Sequence, residues 1–264
     1  MKRGFFACAG LVLLGLLIQA AWVATAQVEV THHKLQAQSD KGPAIKVVQL
    51  SDLHIQRMGA FEHSVLNQVK QIAPDLVVFT GDMLDRPEAL DALMAFWSGL
   101  GPVPKIAVLG NWEHWSEVDL LALKQGLEAR GGTLLANEKL DIRLSGRLLQ
   151  VLGLDDFTAS APNAGLLETL SPGASLVLQH SPGWFQSADV VERKWQATLC
   201  LSGHTHGGQL TLFGLPLWLP RGSGGFVAGS YDLPSCSLYV SRGVGTSVLP
   251  WRLGARAEIA VFEL

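Results

Sequence analysis

Short runs of apolar, largely β-branched residues recur along the chain, and in the first half each ends in a polar loop followed by a stretch of helical spacing. The runs at residues 45–50, 75–80 and 105–109 read as buried strands. Helical patterns follow over residues 61–72, 87–99 and 117–130, the last stopped by Gly131-Gly132. This strand, loop and helix repeat predicts βαβ units and a largely parallel sheet in an α/β protein. The second half is richer in strands. Residues 140–144 and 147–154 predict a hairpin about Ser145-Gly146, and further strands are expected at 175–180, 197–202, 237–241 and 257–262. With no break in the pattern beyond residue 44, residues 44–264 are read as one domain.

The front of the chain departs from this pattern. Lys2 and Arg3 precede an uncharged run over residues 4–28, and Ala24-Thr25-Ala26 has the small-residue character of a cleavage site. Residues 1–26 are expected to be a signal peptide or a retained transmembrane anchor, since about 20 apolar residues suffice to span a bilayer. Charge at the front and none soon after places the body on the extracytoplasmic (periplasmic) side, secreted if the segment is cleaved. Residues 27–43 are polar and read as a linker, with His32 and His33 in solvent. A hydrophobic fraction of 48% and a net charge of −3 describe a folded chain, expected to be monomeric, and no basic block points to nucleic acid. Three cysteines add one open question. Cys8 lies in the apolar segment, whereas Cys200 and Cys236 lie in strand-like runs and either pair in an oxidising compartment or stay as buried thiols. No C-x-x-C occurs, so no thiolate zinc site is in view.

The loops that close the strands carry the chemistry. They are Ser51-Asp52-Leu53-His54, Gly81-Asp82, Gly110-Asn111-Trp112-Glu113-His114, His180, and Gly203-His204-Thr205-His206-Gly207-Gly208-Gln209. Residues at i and i+2 on an extended segment point to one side, so Asp52 with His54, and His204 with His206, are each expected to face one site. The ends of strands are also where open α/β sheets bind ligands. Carboxylate, imidazole and amide ligands without thiolate suit Mn, Fe, Zn or Co better than a calcium cage. Asp52, His54, Asp82, Asn111, His180, His204 and His206 are too many for one four-coordinate ion and enough for two divalent ions sharing a bridge.

The order D-x-H, G-D, G-N-x-[DE], H, G-H-x-H-G-G-Q across residues 51–209 resembles the calcineurin-like metallophosphoesterases. The closing Val240-Ser241-Arg242-Gly243-Val244-Gly245-Thr246-Ser247 with Leu249-Pro250 resembles the membrane-associated bacterial branch of YkuE- and YaeI-type phosphoesterases, which includes a UDP-diacylglucosamine pyrophosphatase. The resemblance implies a four-layer α/β/β/α sandwich. It implies one metal on Asp52, His54 and His206, a second on Asn111, His180 and His204, and Asp82 bridging them. The reaction implied is attack of a metal-bridging hydroxide on a phosphodiester or pyrophosphate bond, in a lipid- or nucleotide-linked substrate such as UDP-2,3-diacylglucosamine. That substrate is expected on the cytoplasmic face, so a periplasmic phosphodiesterase of another substrate fits the predicted topology better.

One position departs from the family. Where histidine usually follows the motif asparagine stands Trp112, and His114 is the substitute for general acid, unless it and Trp115 simply begin the next helix. The alternative function is a catalytically weak or inactive metal-binding protein at the membrane. Glu113 either supports a ligand or is a helix N-terminal acid, and Asp155 and Asp156 read as a turn or rim feature. Residues 210–231 are apolar and broken by glycines; they form an acyl-binding wall, touch the bilayer, or pack on the core as an irregular hairpin. Arg221 in this stretch is a candidate phosphate clamp. A serine hydrolase is excluded by the lack of G-x-S-x-G.

Overall fold

The computed structural model describes residues 12, 14–19, 24–35 and 43–264. Most of residues 1–26, on which the signal or anchor expectation falls, lies outside them. Among the described residues no helix is long and apolar enough to cross a membrane.

Each buried strand sends alternate side chains to opposite faces, so a strand covered on both sides reads as an unbroken apolar run. In β2 (Lys46–Leu50) Val47 and Val48 enter different cores, as do Leu76 and Val77 of β3 (Leu76–Thr80) and Ile106 and Ala107 of β4 (Lys105–Val108). The same division separates Leu199 from Cys200 in β9 (Leu199–Ser202) and Leu176 from Val177 in β8 (Ser175–Leu178). The product is two stacked six-stranded sheets. One runs β1-β14-β2-β3-β4-β5, with β1 Val28–Lys34, β5 Gly132–Leu135 and β14 Ala257–Glu263. The other runs β12-β13-β9-β8-β7-β6, with β6 Glu138–Leu144, β7 Arg147–Gly153, β12 Gly229–Asp232 and β13 Ser237–Val240.

Between the sheets, Val47, Leu76, Val78 and Ile106 meet Val151, Leu176, Leu199 and Leu201. The outer face of the first sheet is covered by α1 (Ala60–Ile72), α2 (Leu90–Gly99) and α4 (Leu120–Glu128) through Val65, Leu66, Leu93, Trp97, Leu123 and Leu127. The outer face of the second is covered by shorter pieces, the 3-10 turns Ala164–Thr169 and Pro182–Gln186 and α5 (Ala188–Val191), which bring in Leu167, Trp184, Phe185 and Val190. The layers are therefore α/β/β/α, with a thin fourth layer.

Several boundaries differ from the sequence expectation. Residues 87–89 are a 3-10 turn ahead of α2, and α4 starts at Leu120 because the Asp119 side chain accepts from the N–H groups of Leu121 and Ala122. Asn111–Trp115 forms a separate short helix, α3. The expected linker is a strand over most of its described length: β1 pairs in parallel with β14 from Val28 opposite Ala257 to Lys34 opposite Glu263. His32 is exposed as expected, but His33 is half-buried, with its ring 4.4 Å from that of Tyr239 and 5.2 Å from that of Phe262. Burial lowers its pKa. A polar sequence suffices for β1 because it is an edge strand with one face in water. Cys200 and Cys236 are joined as a disulfide.

Candidate metal centre

The motif loops leave the ends of β2, β3, β4, β8 and β9 and are hydrogen-bonded to one another before any ligand is considered. Asp52 N donates to Gly81 O at 3.0 Å, His54 N to Asp82 O at 3.0 Å and Gly203 N to His180 O at 3.0 Å. The expected extended geometry is not what aims the side chains. Asp52, His54, Asp82, His204 and His206 have φ of 51, 42, 52, 71 and 52°, all in the left-handed region. Non-glycine residues there cost on the order of 1–2 kcal/mol each and persist where surrounding structure over-determines them. Close backbone packing does so here. A Cβ at Gly81 (φ 87°) would stand 2.6 Å from His180 Nδ1, and one at Gly203 would land on Ser51 Oγ and Asp52 Oδ2.

Two side-chain groups result, Asp52/His54/His206 and Asp82/His180/His204, each with ligand-type atoms within 4.8 Å of one another and every residue buried. In the second group the tautomers follow from carbonyls, which can only accept. His180 Nδ1 donates to Thr80 O at 2.7 Å and His204 Nε2 donates to Arg221 O at 2.8 Å. In the neutral rings, the form that binds a metal, the opposite nitrogens His180 Nε2 and His204 Nδ1 carry lone pairs. They stand 3.2 Å apart and 3.2 and 2.8 Å from Asn111 Oδ1, with Asp82 Oδ2 at 3.2 Å from His180 Nε2. Four acceptors converge with no hydrogen to share. In the first group His54 Nε2 and His206 Nε2 are 3.2 Å apart, His206 Nε2 is 3.3 Å from Asp52 Oδ1, and Asp52 Oδ2 is a buried oxygen without a partner. Asp82 Oδ2 is also 3.7 Å from His54 Nε2 and so stands between the groups. Such donor sets fit divalent cations.

The electrostatics agree. Burial disfavours a charged His180, yet Asp82, with Asp52 and Asp156 behind it, raises its pKa well above the ordinary 6.5. Burial would raise the Asp52 carboxyl, but His206, His180 and His54 hold it below the usual range. His54 is pushed down to about 4 by burial against the pull of Asp82, and His204 is lowered by burial and by His180. Positive charge is thus favoured at His180 beside Asp82, where a bound cation would displace the proton.

Two supporting residues stand behind these groups. Glu113 is buried and accepts from the backbone N–H groups of Asp82 (3.0 Å), Met83 (2.5 Å) and Gly110 (2.8 Å), clamping the Asp82 loop to the start of α3. Burial and the Asp82 charge push its carboxyl up to about 7, against those N–H donors. Both sequence readings of Glu113 hold, since it caps α3 and supports a ligand loop. Arg252, fully buried, donates to Gly245 O at 2.8 Å and to the His206 carbonyl at 3.2 Å. Its Nη2 also lies 3.4 Å from His206 Nδ1, and nothing in the sequence points to it because the contact joins loops 46 residues apart.

A cavity of about 1090 Å³ opens from the groups, with Asp82, Asn111, His204 and His206 at its floor. Trp112, Trp115, Phe157, Leu217, Trp218 and Leu249 supply apolar wall. Trp112 also meets His54 edge-on at 5.9 Å, and its backbone N–H donates to Asp82 Oδ1 at 2.9 Å. Arg221 is an exposed side chain on the cavity lining. His114 does not line the cavity. Its Nε2 lies 2.7 Å from Asp155 Oδ1, and that bond raises its pKa. Asp156 opens a turn, as one of the two sequence readings has it: it is buried and accepts from the N–H groups of Thr158 (2.7 Å) and Ala159 (2.9 Å) and from Ser181 Oγ (2.5 Å) and Thr158 Oγ1 (2.6 Å).

The calcineurin-like phosphoesterase family model matches residues 45–208. The chain belongs to this family. Among metallophosphoesterases, it is 33% identical over 229 residues to the uncharacterized metallophosphoesterase YkuE of Bacillus subtilis, covering 83% of this chain and 78% of that one. It is 30% identical over 254 residues to phosphodiesterase YaeI of Escherichia coli, covering 89% and 88%. A solved crystal structure only 14% identical aligns with TM-score 0.50 over 74% of this chain and 90% of its own, a likeness of fold alone. The protein is a metal-dependent phosphoesterase with a dimetal-type centre of Asp and His residues.

Proposed function

We propose that this metallophosphoesterase hydrolyses a phosphodiester or pyrophosphate bond in a lipid- or nucleotide-linked substrate, of which UDP-2,3-diacylglucosamine is one candidate. The reading is carried by one observation: the cavity joins a floor of metal-type ligands to a wall of four aromatic side chains, Trp112, Trp115, Phe157 and Trp218. A phosphate alone needs no such wall, whereas an acyl chain or a base does.

Asp52, His54 and His206 would hold one divalent ion, Asn111, His180 and His204 the other, and Asp82 both. When bound, two such ions supply Lewis acidity toward phosphoryl oxygens and lower the pKa of water. The residues of the chain do the rest. The Thr80 and Arg221 carbonyls fix the imidazole tautomers, Glu113 holds the Asp82 loop, and the Trp112 indole excludes water from one side of the ligands. Arg221, on the cavity lining, would meet a phosphate from the rim. His114, bound to Asp155, is better suited to hold the wall than to protonate a leaving group. The disulfide supports an extracytoplasmic location for the domain, with residues 1–26 as its route or tether.

The test compares kcat/KM for an acylated phosphodiester and its deacylated counterpart. Trp112→Ala, which keeps the backbone N–H to Asp82, is expected to lower kcat/KM for the acylated substrate by about 10-fold or more and leave the other near its starting value. Equal losses on both would remove the wall from substrate binding.

A further inference from the structure

The largest exposed apolar side chains of the domain gather beside the cavity mouth. Residues 211–216 form a small hairpin, β10 (Thr211–Leu212) with β11 (Leu215–Pro216), whose tip presents Phe213 at 96% exposure, followed by Trp218 at 70%. A second loop presents Val248 at 85% and Trp251 at 44%. The two are one surface, not two. The Gln209 side chain donates to Ser247 O (3.0 Å) and Leu249 O (2.9 Å) and accepts from Ser247 N (3.0 Å), while Thr211 N donates to Leu253 O (2.8 Å).

This surface is costly to the fold. Phe213 and Val248 sit at φ 51 and 62°, in the left-handed region where glycine or asparagine is at ease and a β-branched or bulky residue is strained. Neither side chain packs to compensate. An exposed aromatic in the turn position that asparagine would fill more easily points to something that covers it.

Charge and topology say what. Residues 209–231 and 241–257 contain no Asp or Glu and four arginines, in a chain whose net charge is −3. Arg221 and Arg256 of that set are exposed. Aromatic side chains with interspersed arginines suit the headgroup boundary of an anionic bilayer. The uncharged run over residues 4–28 joins the domain at the same end. β14 is antiparallel to β2, so its start lies at the end of the sheet where Asp52 and His54 leave β2, and β1 starts beside it, with Val28 opposite Ala257. Glu29 is 3.0 Å from Arg242 Nη2, and the nearby Val244 N donates to Ser51 O at 2.9 Å.

We infer that the surface formed by residues 211–218 and 247–251 docks on an anionic phospholipid bilayer, so that the cavity mouth faces the headgroup layer. The N-terminal segment and this rim then hold the domain at two points, and a substrate embedded in the leaflet reaches the cavity without leaving it. The inference concerns placement rather than turnover, so it stands or falls apart from the substrate proposed above.

The experiment uses the full chain with Cys8→Ser, the disulfide kept intact, and a single added cysteine at Phe213→Cys, Val248→Cys or Ser171→Cys carrying a nitrobenzoxadiazole label. Ser171 is exposed and precedes β8, at the opposite end of the sheet from His180. In phosphatidylethanolamine–phosphatidylglycerol vesicles, emission at 213 and 248 is expected to shift to the blue and be quenched by brominated acyl chains, with neither change at 171. Water-like emission at both rim positions would overturn the inference. So would a blue shift at both without bromolipid quenching, which marks a second copy of the chain as the cover. A blue shift and quenching at only one of the two would reduce the docking surface to that loop and overturn it as stated.

Discussion

His114 and Asp155 form a pair between α3 and the loop that follows β7. A histidine two positions past the motif asparagine reads as a proton donor, but its Nε2 is 2.7 Å from Asp155 Oδ1 and the ring stays off the cavity lining. Phe157 and Thr158, which do line it, follow Asp155 and Asp156 in the chain. The pair therefore ties α3 to that wall. The hydrogen bond to Asp155 raises the His114 pKa above 6.5, and although burial alone would raise Asp155, its bonds to His114 and Ser160 hold it below 3.8. A raised histidine contributes stability that is complete below its ordinary value and lost as pH climbs through the raised one; a lowered carboxylate contributes above its ordinary value and loses it in acid. The pair is thus at full strength between those two ordinary values. His114→Gln is expected to lower Tm relative to wild type near pH 6, with the gap narrowing by about pH 9. A gap of constant size would break the ion-pair assignment. The same variant should slow activated and unactivated phosphodiesters by one common factor, because the ring lies off the cavity lining and does not reach a leaving group.

Among the elements, the strand ends were legible and the devices that aim side chains from them were not. The spacing of Asp52, His54, His204 and His206 points to the site, yet left-handed backbone at each of the four, not alternation along an extended chain, aims their side chains. Such strain is invisible locally because it is imposed by loops 30 to 150 residues away, as where Asp52 N meets Gly81 O and His204 N meets Asp52 Oδ1 (2.9 Å). β1 was missed for a related reason. Its hydrogen-bonding partner is the C-terminal strand, and Thr31 Oγ1 reaches Glu258 at 2.8 Å across a separation of 227 residues. The disulfide was open in the sequence because pairing needs geometry. It closes a 36-residue separation between β9 and the start of β13, for which chain entropy predicts about 3–4 kcal/mol. Cys236→Ala should lower the unfolding free energy in urea by that order, and added reductant should then change nothing further. A variant as stable as the oxidised wild type would show that the bond adds little to this sandwich.

At the scale of the molecule, two sheets stack so that five strand ends deliver their loops to one edge, and that edge also receives the start of β1 and the apolar rim. The sequence motifs located the site and its chemistry; the four-layer architecture came from resemblance, since a run such as Val47-Val48 or Leu199-Cys200 shows that both faces are covered but not by what. Asp82 stands between the two ligand groups, its Oδ2 3.2 Å from His180 Nε2 and 3.7 Å from His54 Nε2. The most direct measurement is metal content and hydrolysis of bis-p-nitrophenyl phosphate by the full chain with added Mn, beside Asp82→Asn. The wild type should bind two ions per chain and turn over only with metal, and the variant should lose metal and fall in kcat/KM by on the order of 100-fold or more. An Asp82→Asn protein that keeps two ions and full turnover would show that Asp82 does not hold them.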